Sequence, residues 1–137
     1  MSVLTENIVL ARTRSQDLKN VKKLNCWGSE LTDVSIVRRM PNVEVLSLSI
    51  NKITTLEDFA ACRNLRELYL RQNKIFDISE VQFLQDLEGL RVLSLQDNPC
   101  VNIANYRLTL IRALPQLEML DNVPITPEGR FINLLQS

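Results

Sequence analysis

The chain has 137 residues, 45% of them apolar and 23% charged, a balance that fits one soluble globular domain rather than a disordered chain. Sixteen basic and sixteen acidic residues cancel, which argues against broad electrostatic binding to nucleic acid or an anionic membrane. No apolar run approaches the ~20 residues that span a bilayer, and Glu6, Arg12 and Arg14 interrupt any secretory-signal pattern at the start.

The absence of histidine removes the commonest general base and metal ligand. Three glycines form no phosphate-cradling loop. Cys26, Cys62 and Cys100 are odd in number and far apart, so they fit neither a disulfide framework nor a zinc site; they read as reduced thiols of an intracellular protein. Acidic pairs such as Glu57-Asp58 and Asp86/Glu88 fall on turns, where a solvated face is the simpler reading. An enzyme is therefore not expected, and no cofactor or metal is implied.

In chain order, residues 1–20 come first as a helical cap. Thr5 is placed to N-cap a helix with Glu6 in its first turn, and Leu4, Ile8, Val9 and Leu10 supply an apolar face. A second turn over Ser15–Leu18 leads into Val21. A basic targeting helix around Arg12, Arg14 and Lys19 is the competing reading.

From residue 21 a repeat takes over. The pattern LxxLxLxxNxL fits Val21-Leu24-Cys26-Ser29-Leu31, Val43-Leu46-Leu48-Asn51-Ile53 and Leu65-Leu68-Leu70-Asn73-Ile75. It fits again at Leu90-Leu93-Leu95-Asn98, and partly at Leu117-Leu120-Asp121. The starts at 21, 43, 65, 90 and 117 give steps of 22, 22, 25 and 27 residues. In the LxL core alternate residues of a short strand face opposite sides, so the leucines stack into an apolar column and the residues between face outward. The Asn turns the chain, and its amide satisfies backbone groups of adjacent turns. Ser29 replaces it in the first repeat and predicts a weaker ladder there; Cys26 replaces a leucine and reads as a small buried hydrophobe. The return segments 33–39, 56–62 and 78–87 suit 3₁₀ or short helical turns, and the third, three residues longer, is expected to be a proper helix.

Both ends of such a stack need covering. After residue 100, Leu110, Ile111 and Leu114 have helical spacing, Pro115 ends that helix, and a last strand follows near 117–121. Tyr106 is expected to pack in this cap, with Arg107 bonding to a carboxylate or carbonyl. Thr126-Pro127-Glu128 resembles a helix start, with Phe131, Leu134 and Leu135 as the apolar face of a final helix. The fold class is thus α/β: a leucine-rich-repeat solenoid with a parallel sheet on the concave face, short helices or 3₁₀ turns on the convex face, and helical caps at both ends. Residues 1–137 form one domain, with the cap over 1–20, four repeats over 21–100, and the last strand and C-terminal cap over 101–137.

Four repeats followed by NYR…LPQLEMLD resemble small intracellular leucine-rich-repeat proteins, among them several ciliary proteins and the A-prime protein of the U2 spliceosomal particle. The stretches VKKLNCWGSELTDVSI, VEVLSLS, RELYLRQNKI and LRVLSLQDNPC narrow the likeness to the cilia- and flagella-associated protein 410 family, LNCWG being the most specific part. That resemblance implies a scaffold of cilia, flagella and basal bodies, cytoplasmic in location, with a NIMA-related kinase as a partner and a link to DNA repair. It also implies a longer protein, with a linker and a C-terminal helical segment that oligomerises; such a segment is absent from this chain.

The expected contact surface is the concave face. Its outward columns run Asn25, Ser47, Tyr69, Ser94, Asp121; then Trp27, Ser49, Arg71, Gln96; then Gly28, Ile50, Gln72, Asp97; and, on the near side, Lys23, Val45, Glu67, Val92, Met119. The candidate partner-binding residues are Trp27, Val45, Ser47, Ile50, Tyr69, Arg71, Val92, Ser94 and Gln96. Trp, Tyr and Arg are the usual anchors of protein interfaces, although Trp27 could equally pack against the N-terminal cap. Residues 1–39 carry net charge +3 and residues 40–137 net charge −3. The expected partner is a protein, with neither direct nucleic-acid contact nor membrane insertion. The rival reading is a ribonucleoprotein adaptor like the U2 A-prime protein.

Overall fold

A computed structural model describes residues 2–130. Strands β1 (Ser2–Val3), β2 (Lys23–Asn25), β3 (Leu31–Asp33), β4 (Val45–Ser47), β5 (Glu67–Tyr69), β6 (Val92–Ser94), β7 (Met119–Leu120) and β8 (Val123–Pro124) are joined by helices α1 (Glu6–Thr13) and α2 (Tyr106–Ala113) and by 3₁₀ turns. One sheet runs β2-β4-β5-β6-β7-β8, parallel except for the last pair. The repeat spacing sets its register: Leu24 pairs with Leu46, Leu46 with Leu68, Leu68 with Leu93, and Leu93 with Leu120. The ladder continues past the strands, where Cys26, Leu48 and Leu70 donate their amides to Ser47, Tyr69 and Ser94 at 2.9 Å each.

Behind the sheet, the inward leucines and the convex residues Val37, Phe59, Val81 and Leu84 form a continuous buried core. The convex turns are Ser35–Arg39, Glu57–Ala61, Ile78–Leu84 and Pro99–Val101, and all are 3₁₀. The expected helix in the third segment is therefore corrected: its extra residues lengthen a 3₁₀ turn. Parallel strands lie about 4.8 Å apart, whereas an α-helix with its side chains is about 10 Å wide. Slimmer 3₁₀ segments follow the strand spacing with less splay.

The asparagine ladder forms as the template requires. Asn51 accepts the amides of Ser29 (3.1 Å) and Leu31 (2.8 Å) and donates to the carbonyls of Cys26 (3.0 Å) and Leu48 (2.9 Å). Asn73 and Asn98 repeat the pattern, donating to Leu48 and Leu70, and to Leu70 and Leu95. Ser29 makes no such reach; its hydroxyl has one long bond, 3.4 Å to the Trp27 carbonyl. Cys26 is buried, as its place in the core column requires.

At the N-terminal end, Thr5 Oγ1 accepts the Ile8 amide at 3.3 Å and caps α1. Leu4 and Val9 are buried, but Ile8 points outward, a correction to the expected apolar face. The cap also contains a strand that helix periodicity does not reveal: β1 pairs in parallel with β3. At the other end, Arg107 donates to the carbonyls of Leu120 (3.2 Å), Val123 (3.3 Å) and Pro124 (3.2 Å), holding β7 and β8 to α2. Thr126 Oγ1 accepts the Gly129 amide at 2.9 Å, the expected helix start. The apolar face expected from Phe131, Leu134 and Leu135 lies outside the described residues.

Candidate functional site

The concave surface is built by strand parity. Leu68 and Leu70 are fully buried, while Tyr69 and Arg71 between and after them are half-exposed on the opposite side. The same alternation leaves Val45, Ser47, Val92 and Gln96 half-buried on that side. Ser94 departs from the expectation: it is only 4% exposed. A short serine beside the larger Tyr69 ring, its register partner one strand over, offers almost no surface, so Ser94 contributes packing rather than a contact. Trp27 is 60% exposed, so the alternative of packing it against the N-terminal cap is not realised.

Polar contacts fix the central side chains. The Tyr69 hydroxyl donates to Glu67 Oε1 along the same strand. That bond, then burial, then the carboxylate charge push the phenol up to about 12, so it stays a protonated donor. Arg71 Nη1 lies 3.6 Å from Asp97 Oδ2, which aims the guanidinium along the face without burying it. Beside it, Gln96 Oε1 is buried and has no hydrogen-bond partner among the described residues. A buried acceptor left unmet costs free energy.

One edge of this surface has an unexpected backbone. Gly28, Ile50, Gln72 and Asp97, successive members of one column, have φ of 64°, 58°, 57° and 62°. The left-handed turn frees the chain to leave the strand and drop the Asn into the core. For glycine that conformation is easy; for the β-branched Ile50 it is strained. Neither this strain nor the free Gln96 acceptor was readable from the repeat pattern, although Gly28 at the head of the column was the available signal for the strain.

The three cysteine thiols are buried away from this face. Burial pushes the Cys62 thiol up to about 12, with the Asp58 charge adding to it, and the Cys100 thiol up to about 11. Among the described residues no group of His, Cys, Asp and Glu side chains is arranged to hold a metal ion. No helix of the described residues is long and apolar enough to cross a membrane.

A leucine-rich-repeat family model matches residues 24–130. The chain belongs to the leucine-rich-repeat family, whose members are typically interaction modules. It is 51% identical over 127 residues to mouse Cilia- and flagella-associated protein 410, covering 91% of this chain and 51% of that protein, and 49% identical to the human protein of the same name. The chain thus spans about half the length of the curated relatives it matches. A 95-residue stretch is 37% identical to the Drosophila melanogaster dynein axonemal assembly factor 1 homolog, 6% of that protein. Among solved structures, the Drosophila melanogaster SNF/U2A′ complex contains a chain similar in fold, with TM-score 0.77 and 21% identity over 98% of this chain and 92% of that one. The Mex67 leucine-rich-repeat domain of Chaetomium thermophilum aligns with TM-score 0.56 and 26% identity over 66% of this chain and 64% of that one.

Proposed function

We propose that residues 2–130 act as one rigid recognition module of a non-enzymatic scaffold in cilia and flagella, and that the concave face is where a protein partner binds. The observation that carries this reading is the parity of β5 and its extension: Tyr69 and Arg71 stand outward from a strand whose Leu68 and Leu70 are locked in the core. A surface fixed in this way loses little conformational freedom on binding, so more of the contact energy is left for affinity. The ciliary setting is supported by the names of the curated relatives. A NIMA-related kinase and the basal body are the finer partner and location in this reading, with oligomerisation assigned to a segment outside this chain.

The direct test is proximity labelling of the tagged protein in ciliated cells, with wild type and Tyr69→Ala/Arg71→Glu compared at equal expression. Enrichment of basal-body proteins that the double variant loses supports the proposal. Undiminished enrichment refutes the concave-face assignment.

The second reading, an adaptor in a ribonucleoprotein, is motivated by the solenoid shared with the U2A′-containing complex. The balanced net charge stands against a phosphate-binding groove of this chain's own. Co-purification of spliceosomal RNA with the tagged protein would favour it.

A further inference from the structure

The N-terminal end carries a second surface, independent of the concave face. A depression of about 340 Å³ opens between α1, β1 and the first repeat, within the range of small ligand sites. Apolar Val3, Ile8 and Leu31 line it, together with Cys26, Ser29 and Arg12. Val3 is 47% exposed and Ile8 39%. The depression has a cause in the sequence. In the later repeats a leucine fills the place of Cys26, and an asparagine amide fills the place of Ser29, reaching beneath the strand to two carbonyls. Both departures of the first repeat from the template line the same hollow. The end cap therefore covers the stack but leaves room beside it.

The electrostatics of this end are one-sided. The four acids of residues 1–39 are each engaged: Glu6 with Arg39 at 3.0 Å, Glu30 with Lys52 at 3.9 Å, Asp17 with the Asn20 amide at 3.0 Å and Asp33 with the Ser35 amide at 2.8 Å. Arg12, Arg14, Lys19, Lys22 and Lys23 have no carboxylate within ion-pair distance among the described residues. Arg12, at the rim of the hollow, makes one long bond, 3.4 Å from Nη1 to the Asn25 carbonyl.

We infer that this hollow docks a short segment of a partner protein in which a branched apolar side chain is flanked by carboxylates, the apolar group entering against Ile8 and Leu31 and a carboxylate meeting Arg12. The lining is part apolar and part polar, which suits a segment carrying both an apolar side chain and a carboxylate, and the Arg12 guanidinium in it disfavours a basic segment.

The test is titration of the isotope-labelled chain with two terminally blocked peptides, Asp-Leu-Asp-Leu-Asp and Lys-Leu-Lys-Leu-Lys, followed by amide NMR shifts. The acidic peptide is expected to move the amides of Val3, Ile8, Arg12 and Ser29. Arg12→Glu is expected to weaken it about tenfold, as loss of a favourable charge contact does. Ser29→Asn restores the template side chain and is expected to close the hollow and abolish binding, with melting unchanged or raised. Four results would each overturn the inference: no shift at these amides, equal shifts with the lysine peptide, undiminished binding by Ser29→Asn, or undiminished binding by Arg12→Glu. Shifts confined to Tyr69 and Arg71 would overturn it while leaving the concave reading intact.

Discussion

The phenol of Tyr106 donates to Oδ2 of Asp121 at 2.8 Å, while Oδ1 of the same carboxylate accepts the Leu95 amide at 2.7 Å. Asp121, one residue past the Leu93–Leu120 pair, thus gives Leu95 a side-chain acceptor where Cys26, Leu48 and Leu70 of the earlier repeats bond a backbone carbonyl, and α2 reaches across to meet its second oxygen. Burial first, then the Asp121 charge and hydrogen bond, keep the Tyr106 phenol protonated far above its ordinary range. Tyr106→Phe leaves a partly buried carboxylate oxygen unmet and is expected to cost about 1–3 kcal/mol. In a double-mutant cycle with Asp121→Asn, urea unfolding should give a coupling of about 1 kcal/mol; additive effects would show that the contact does not tie the cap to the stack.

The ladder should be strong in its middle and weak at its start. Asn51→Ala removes four bonds of 3.1 Å or less from a buried side chain and is expected to lower stability by about 3 kcal/mol or more. Ser29→Ala should change it by no more than about 0.5 kcal/mol. Equal costs by denaturant unfolding would contradict the geometry.

Those two positions also mark what the sequence reveals and what it hides. Asn51, Asn73 and Asn98 recur in phase, so their role was legible, as was the burial of Cys26 in a leucine column. Strand β1 was not legible, because two residues carry no period; its pairing with β3 depends on how the cap folds back. The 3₁₀ form of Ile78–Leu84 was hidden because helical spacing of apolar residues does not show how tightly neighbouring strands crowd the convex side. Ser94 was placed on the right face, but its burial depends on the size of Tyr69 beside it. A second polar row escaped notice altogether: Asn42 and Asn64 donate to the carbonyls of Lys19 (2.8 Å) and Pro41 (3.1 Å), and Gln116 to those of Leu84 and Leu87 at 3.2 Å each. Each precedes the first apolar position of its repeat, a regularity broken by Gly89.

Strain at Ile50 separates stability from recognition. Replacing this β-branched residue at φ 58° by Asn is expected to raise stability by about 1 kcal/mol, since Asn visits the left-handed region at lower cost. Calorimetry of Ile50→Asn checks it. A fall in stability would mean that the half-buried Ile50 side chain contributes more packing than its backbone costs.

Alkaline stability follows from the buried acids. Folding raises Cys62 from 9.0 to about 12 and Cys100 from 9.0 to about 11. Their contribution is full below the unfolded pKa; as pH rises above it, the unfolded chain releases protons that the folded chain keeps, and stability falls. Unfolding free energy should therefore drop steadily from about pH 9 towards 12. Cys62→Ala should lower the neutral-pH value but flatten that decline. An equally steep decline in the variant would remove Cys62 as a contributor.

The central claim is that Tyr69 and Arg71 form the heart of a preformed protein-binding face. Its most direct measurement is the proximity-labelling profile of Tyr69→Ala/Arg71→Glu beside wild type in ciliated cells, with melting of the two purified chains compared. The account predicts matching melting temperatures and loss of the partners that wild type labels. The same partners at the same yield from an equally stable double variant would contradict it.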